Sequence, residues 1–213
     1  MKLLSIIATN RRKGNISTIS DEILKGAKEK GHETETINLY DLNIKNCIGC
    51  WNCNKKGKCF IDDDFEMLMD KFKRSDVIIL GTPCYWCSVS GVMKNFMDRH
   101  TGITIYQPEN MTAIKSASFM EKFKFMLKAS RDFGAIKGFS EKKYITIITA
   151  TVPFPISHLG GDVSSTQRLL KLYIKKMKGN LYRKIIFTDT HFRFIKSKRD
   201  RIFKKAYEIG KAL

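Results

Sequence analysis

The sequence predicts an α/β protein: a three-layer sandwich in which a five-stranded parallel sheet lies between helices on both faces. Three observations lead there. Runs rich in β-branched residues alternate along the chain with segments of helical periodicity. Residues 3–8, 76–80 and 143–150 are apolar at nearly every position, as in strands covered on both faces. The length, 213 residues, suits one domain, taken here as residues 1–213.

The elements follow in order. Residues 3–8 form the first strand. Residues 15–30 form a helix with Ile16, Ile19, Ile23, Leu24 and Ala27 on one side, and Gly31 stops it. Residues 33–39 alternate, as in a strand nearer the sheet edge. Residues 43–64 are an irregular insertion whose cysteine loop occupies 43–62. Residues 64–73 are helical. Residues 76–80 are a buried strand closed by Gly81, Thr82 and Pro83, and residues 90–100 a helix with Val92, Phe96 and Met97 inward. Residues 101–142 read as an arm for oligomerisation or a lid, with helical periodicity over 119–131. Then come a buried strand at 143–150, a loop at 151–161, a helix at 164–178, a strand at 181–187 and a basic helix at 196–213. Parallel strands joined in this way need right-handed crossovers. Ligands of such sheets bind outside the carboxyl ends of the strands. The loops after Ala8, Leu80 and Ala150 are therefore expected to carry function.

Composition narrows the classes. No apolar run approaches the roughly 20 residues that span a bilayer, and residues 1–9 are too short for a signal segment with its cleavage site. A cytoplasmic protein is expected. Four of the six cysteines crowd between Cys47 and Cys59, which in such a protein points to metal or redox chemistry rather than a disulfide scaffold. The net charge of +18 is uneven: residues 1–106 carry 16 basic against 13 acidic residues, and residues 107–213 carry 23 against 8. This suits either a solvated lysine-rich surface or attraction to nucleic acid, acidic partners or anionic cofactors. No nucleic-acid-binding motif accompanies the charge.

The loop from Thr9 to Ser17 leads into a helix N-terminus, where unpaired N–H groups and the positive dipole end favour an anion. Gly14 allows a tight turn, Thr9 and Ser17 offer hydroxyls, and Arg11 and Arg12 offer charge. This is either a cradle for a phosphate monoester or a polar loop with an Asn or Ser cap. It matches neither the P-loop nor the G-x-G-x-x-G pattern. The loop from Gly81 to Gly91 brings Tyr85 and Trp86 together with small residues. The aromatic faces can flank a flat ring or cap the sheet.

Taken together, T-N-R-R-K-G-N-I-S, C-I-G-C-W-N-C with G-K-C-F-I-D-D-D, and G-T-P-C-Y-W-C-S-V-S-G-V-M-K-N-F-M-D-R resemble the NAD(P)H-dependent FMN reductase branch of the flavodoxin-like fold, and the iron–sulfur flavoproteins in particular. The motifs lie within residues 3–99. The resemblance implies strand order 2-1-3-4-5, FMN as cofactor, NAD(P)H as a donor, and a homodimer or homotetramer. It implies that Thr9, Arg11, Asn15, Ile16 and Ser17 hold the FMN phosphate. Pro83, Tyr85, Trp86, Ser88 and Val89 would contact the isoalloxazine and ribityl chain. Thr151, Gly160, Gly161 and Asp162 would close the far side, although residues 152–159 make this loop longer than the family's.

Cys47-x2-Cys50-x2-Cys53-x5-Cys59 can wrap one 4Fe–4S cubane, with Gly49 and Gly57 giving the loop freedom. Zinc is the rival ligand, and four free thiols the third reading. Cys84 and Cys87 form a second C-x2-C at the expected flavin site, read as small buried residues of a tight loop or as a redox pair. His32 and His100 read as capping or surface groups, and His158 as a candidate for proton delivery. Asp62, Asp63 and Asp64 have the look of a metal cluster but read rather as caps of the following helix. No Ser-His-Asp or paired-carboxylate arrangement argues for hydrolysis.

These readings converge on an FMN-dependent oxidoreductase with a 4Fe–4S cluster. It passes electrons between a nicotinamide or ferredoxin-type donor and a small acceptor. The alternatives are a cluster-free NAD(P)H-dependent reductase of quinones, nitro compounds or flavins, and a basic nucleic-acid or partner-binding module on the same scaffold.

Overall fold

Segments apolar on both sides are stable only inside a sheet covered twice, and the chain builds that sheet. A computed structural model describes residues 1–104, 118–131, 141–190 and 196–213. Its strands are β1 (Lys2–Ile7), β2 (Glu33–Asn38), β3 (Val77–Tyr85), β4 (Ser88–Val89), β5 (Lys143–Thr149) and β6 (Asn180–Phe187). Five of them are parallel in the order β2-β1-β3-β5-β6, which is 2-1-3-4-5 when counted among themselves. The two-residue β4, not expected from the sequence, folds back antiparallel on the end of β3.

The helices are α1 (Asn15–Glu29), α2 (Asn52–Lys56), α3 (Phe65–Arg74), α4 (Gly91–Asp98), α5 (Thr101–Thr104), α6 (Phe119–Arg131), α7 (Ile156–Leu159), α8 (Asp162–Lys176) and α9 (Lys196–Lys211). Much of the segment read as an arm or lid lies outside the described residues; within it, α6 coincides with the periodic stretch.

Strand alternation sends side chains to two cores. Leu3, Ile7, Val77, Ile79, Ile145 and Ile147 pack with α1 and α9, whereas Leu4, Ile6, Ile78, Leu80, Tyr144 and Ile148 pack with α3, α4 and α8. The α1–α9 crossing is close enough to need glycine. A Cβ on Gly210 would lie 1.9 Å from the Ile23 carbonyl oxygen, and one on Gly26 2.2 Å from that of Tyr207. Helix propensity alone favours alanine there by about 1 kcal/mol. Gly210→Ala is nevertheless expected to lower stability by roughly 1–3 kcal/mol, because the helices must separate; urea unfolding checks the sign.

One boundary differs from the expectation in a way that bears on the site. β3 runs five residues beyond Leu80, so Gly81, Thr82 and Pro83 belong to the strand rather than to its closing loop. β1 stops pairing with β3 at Gly81, whereas β5 stays paired through Pro83. Beyond Gly81 the strand has one sheet neighbour, and a proline without an N–H is tolerated at such an edge. The turn carrying Tyr85 and Trp86 is thereby lifted clear of the sheet.

Candidate functional site

The carboxyl ends of β1, β3 and β5 open into one cleft of about 480 Å³. Thr9, Arg11, Lys13, Gly14, Asn15 and Ile16 form one wall, Pro83, Cys84 and Tyr85 another, and Thr149, Ala150 and Thr151 the floor. Thr190, after β6, and Arg199, in α9, complete the lining.

The first wall is a helix start left open to an anion. Gly14 is the N-cap of α1, no side chain caps the helix, and its first turn holds no acidic residue. The first N–H groups of a helix lack carbonyl partners within it, so these point toward the cleft with the positive dipole end. The turn before them is tight: Gly14 N–H donates to the Arg11 carbonyl at 2.9 Å, and a Cβ on Gly14 would meet that oxygen at 2.9 Å. Buried Asn38 fixes the loop, donating from Nδ2 to the Thr9 carbonyl at 2.7 Å. Thr9 Oγ1 accepts from the Arg11 N–H at 3.2 Å, and the Ser17 hydroxyl turns back to the Arg11 carbonyl at 3.4 Å. Arg12 corrects the sequence reading. Its guanidinium is engaged by Asp41, whose carboxyl the hydrogen bond holds below the usual range, and it does not line the cleft.

The second wall ends in a two-residue turn. Trp86 (φ 50°) and Cys87 (φ 58°) both adopt left-handed backbone, as a hairpin of this kind requires. Glycine or asparagine normally fills such positions, so nothing in the residue types announces the turn. Trp86 is 99% exposed and Tyr85 60%. Tyr85 lines the cleft; Trp86, Ser88 and Val89 continue the turn beside it. The third group is brought together less completely. Thr151 lines the cleft, whereas Gly160 and Gly161 lead into α8, and Asp162 faces the β3–β4 turn through Cys84 and Cys87. His158 lies in α7 with its Nδ1 3.2 Å from the Ser157 hydroxyl, outside the cleft lining.

Lys13, Thr190 and Arg199 were missed by sequence reasoning. Thr190 and Arg199 come from the end of the fifth parallel strand and the helix after it, so topology was the available signal: β6 also ends at the carboxyl edge.

The cysteine loop forms a second site. Cys47, Cys50, Cys53 and Cys59 line one small, mostly apolar cavity of about 50 Å³, together with Ile48, Trp51, Ile61, Arg99 and Gly102. Left-handed Gly49, Trp51 and Gly57 bend the backbone around it. Burial, and then the neighbouring sulfurs of Cys59, Cys47 and Cys50, push the Cys53 thiol up. Gly102 lets the loop approach closely, since a Cβ there would fall 2.1 Å from Cys53 Sγ and displace it. Among the described residues, no three Cys, His, Asp or Glu side chains are drawn together closely enough to hold a single metal ion.

Arg99 braces the loop from beneath. Its guanidinium donates to Asp63 (2.6 and 3.1 Å), to the Lys45 carbonyl (2.7 Å) and to Cys59 Sγ (3.2 Å). Burial raises the Asp63 pKa, but hydrogen bonds from Arg99 and from the backbone N–H groups of Lys45 and Phe65 outweigh it and hold the carboxyl below its usual range. Capping thus belongs to Asp63, which takes the Phe65 N–H at 3.0 Å, while Asp64 accepts from the Asn43 N–H at 2.7 Å. His100, read as a surface or capping group, is instead fully inside the core.

Known proteins place this arrangement. The chain is 41% identical over 105 residues to an iron–sulfur flavoprotein of Methanocaldococcus jannaschii, an alignment covering 49% of this chain and 54% of that protein. It is 38% identical over 99 residues to one of Archaeoglobus fulgidus, covering 46% and 48%. The alignments span about half the length of these curated relatives. Among solved structures, an NAD(P)H:quinone oxidoreductase from Methanothermobacter marburgensis superposes with a TM-score of 0.72 at 15% identity, over 99% of this chain and 98% of that one. An azoreductase from Bacillus anthracis superposes with a TM-score of 0.70 at 13% identity, over the whole of both chains. Likeness at such identity establishes the flavodoxin-like fold. Among the described residues, no helix is long and apolar enough to cross a membrane. Residues 1–122 match the NADPH-dependent FMN reductase family, and the chain belongs to that family.

Proposed function

We propose that this protein is an FMN-dependent oxidoreductase that passes electrons between a nicotinamide or ferredoxin-type donor and a small acceptor. The observation that carries this reading is the single cleft in which an uncapped, acid-free helix start faces the aromatic turn that follows β3. The residues fit the cofactor. The N–H groups of the first turn of α1, with Arg11, Thr9 and Asn15, would bind its phosphate. Pro83, Tyr85 and the turn of Trp86, Ser88 and Val89 would flank its ring, and Thr151 with the glycine pair 160–161 would border the far side. Bound there, FMN supplies two-electron acceptance with release one electron at a time. The chain's own part is to bind and orient it, with Arg199 and Lys13 adding positive charge for the anionic cofactor and a nicotinamide phosphate.

Cys47, Cys50, Cys53 and Cys59 would hold a 4Fe–4S cluster. The shared cavity supports this, as does Arg99, a buried cation donating to the sulfur of Cys59, which suits thiolates around an anionic cluster. The cluster supplies one-electron relay. A second reading, the cluster-free reductase, would leave these four cysteines as free thiols. The exposed Trp86, Phe154 and Leu159 suit burial against a second copy in a homodimer or homotetramer.

Anaerobic purification followed by iron and FMN assays tests these readings. About one FMN and about four iron atoms per chain are expected. FMN without iron selects the cluster-free reductase, and a colourless chain that takes up no FMN overturns both.

A further inference from the structure

The β3–β4 turn holds chemistry that cofactor binding leaves unused. Cys84 is half-buried in the wall of the cleft and Cys87 is exposed, so the reading of both as small buried residues does not hold for Cys87. Both thiols are directed at one residue at the start of α8. Cys87 Sγ donates to Asp162 Oδ1 at 2.8 Å, and Cys84 Sγ to the Asp162 carbonyl oxygen at 3.3 Å. Asp162 thus brings the two sulfurs to one point at the end of the turn. Thr166 Oγ1 holds the Cys84 sulfur at 3.1 Å. The left-handed backbone at Trp86 and Cys87 turns the chain back on itself. Such conformations are uncommon for residues other than glycine and cluster where structure serves function.

We propose that Cys84 and Cys87 form a redox-active thiol pair that exchanges with low-molecular-weight disulfides and dithiols at the mouth of the cleft. Accessibility sets the order of events. Cys87 is the exposed sulfur, so it attacks; Cys84, behind it, resolves. Cys87 gives its proton to water, and its thiolate attacks one sulfur of the reagent disulfide. The reagent S–S bond breaks, and one thiolate leaves and takes up a proton. Cys84 Sγ, giving its proton to water, then attacks the Cys87 sulfur of the mixed disulfide. The Cys84–Cys87 bond forms and the second reagent thiolate leaves and is protonated. Two electrons and two protons pass from the protein to the reagent, which ends as two thiols. A small dithiol runs the sequence backward. At rest both sulfurs are protonated: Asp162 pushes the Cys87 thiol up through its hydrogen bond, and burial does the same for Cys84. Exchange is therefore slow at neutral pH and quickens as the pH rises toward the thiol range. The bond closes a loop around Tyr85 and Trp86, so its state is set at the aromatic rim of the cleft.

The sequence makes the test clean. Trypsin releases residues 75–94 as one peptide that carries Cys84 and Cys87 and none of the four cysteines of the 47–59 loop. The full chain is equilibrated in mixtures of reduced and oxidised glutathione, quenched in acid, alkylated, digested and weighed. The expected result is a peptide lighter by two hydrogen atoms whose share rises with the oxidised fraction and falls again with dithiothreitol. Cys84→Ser is expected to stop at a mixed disulfide on Cys87. Asp162→Asn, which removes the charge that holds the proton on Cys87, is expected to quicken disulfide formation at neutral pH severalfold, which a merely structural role would not do. Full alkylation of both sulfurs in every mixture overturns the pair. An unchanged or lower rate in Asp162→Asn overturns the part assigned to Asp162. FMN content does not enter the readout. Disulfide formation in a chain that binds no flavin supports this proposal and counts against the cofactor assignment alone.

Discussion

Arg99→Met is expected to lower the free energy of unfolding by about 3–5 kcal/mol, the cost of leaving a buried charge without its partner. The side chains of Arg99 and Asp63 are 1% and 0% exposed. The two guanidinium nitrogens meet the two carboxylate oxygens in a fork, the strong geometry for this pair, and the guanidinium carbon lies 4.4 Å from the Phe65 ring centroid. Methionine fills much of the volume but returns no charge. Asp63 would keep the backbone N–H groups of Lys45 and Phe65 and lose its counter-ion. The double variant Arg99→Met with Asp63→Asn removes both charges and is expected to recover part of the loss. Urea unfolding of both chains checks this, and a loss under about 1 kcal/mol for the single variant contradicts the account. Because Arg99 also ties Lys45 and Cys59 together, the cysteine loop is expected to become more protease-sensitive in the same variant.

Acid is expected to remove roughly 3 kcal/mol of stability through His100 alone. Burial, with a contribution from the Arg99 charge, pushes its pKa from 6.5 down to about 4 against a hydrogen bond to the Phe96 carbonyl that favours the charged ring. Aromatic rings surround it: Phe96 at 4.7 Å, Phe65 at 5.4 Å, Tyr173 at 5.6 Å and Phe72 at 5.7 Å between centroids. The unfolded chain binds this proton more readily than the folded one, so stability rises with pH across the interval between the two values. The contribution is complete above about pH 6.5 and lost as the pH falls toward 4. The difference of about 2.5 in pKa corresponds to roughly 3 kcal/mol. In His100→Phe the same interval is expected to show a correspondingly shallower loss. Parallel stability curves for the two proteins would contradict it.

What the sequence displayed, and what it hid, follows from the range of the interactions. β1, β3 and β5 were legible because burial on both faces leaves an unbroken apolar run. The walls of the cleft were legible because a parallel sheet gathers the loops at the carboxyl ends of its strands, so Thr9 to Ile16, Pro83 to Tyr85 and Thr151 could be placed together from topology. The misses are long-range or conformational. Arg12 looked like a phosphate ligand because Asp41, 29 residues away, is not visible as its partner in a linear pattern. Asp63 looked like one acid of three until Arg99, 36 residues on, came to face it. His100 sits beside the polar Asp98-Arg99 pair, and its burial depends on α3 and α8 closing over it. Left-handed backbone at Trp86 and Cys87 has no glycine to advertise it. Arg199 reaches the cleft because β6 and α9 share its edge, a consequence of the sheet and not of any motif.

In the proposed function a phosphorylated flavin sits at the carboxyl ends of the first and third parallel strands, its phosphate on the open start of α1. Titrating the cofactor-free chain with FMN and with riboflavin, which differ by that phosphate, tests it most directly. FMN is expected to bind roughly 100-fold more tightly, the effect of charge-assisted hydrogen bonds to a bound anion. Arg11→Ala is expected to shrink that advantage about tenfold while leaving riboflavin affinity where it was. Equal affinities for the two flavins, or an FMN preference that Arg11→Ala does not touch, would contradict it.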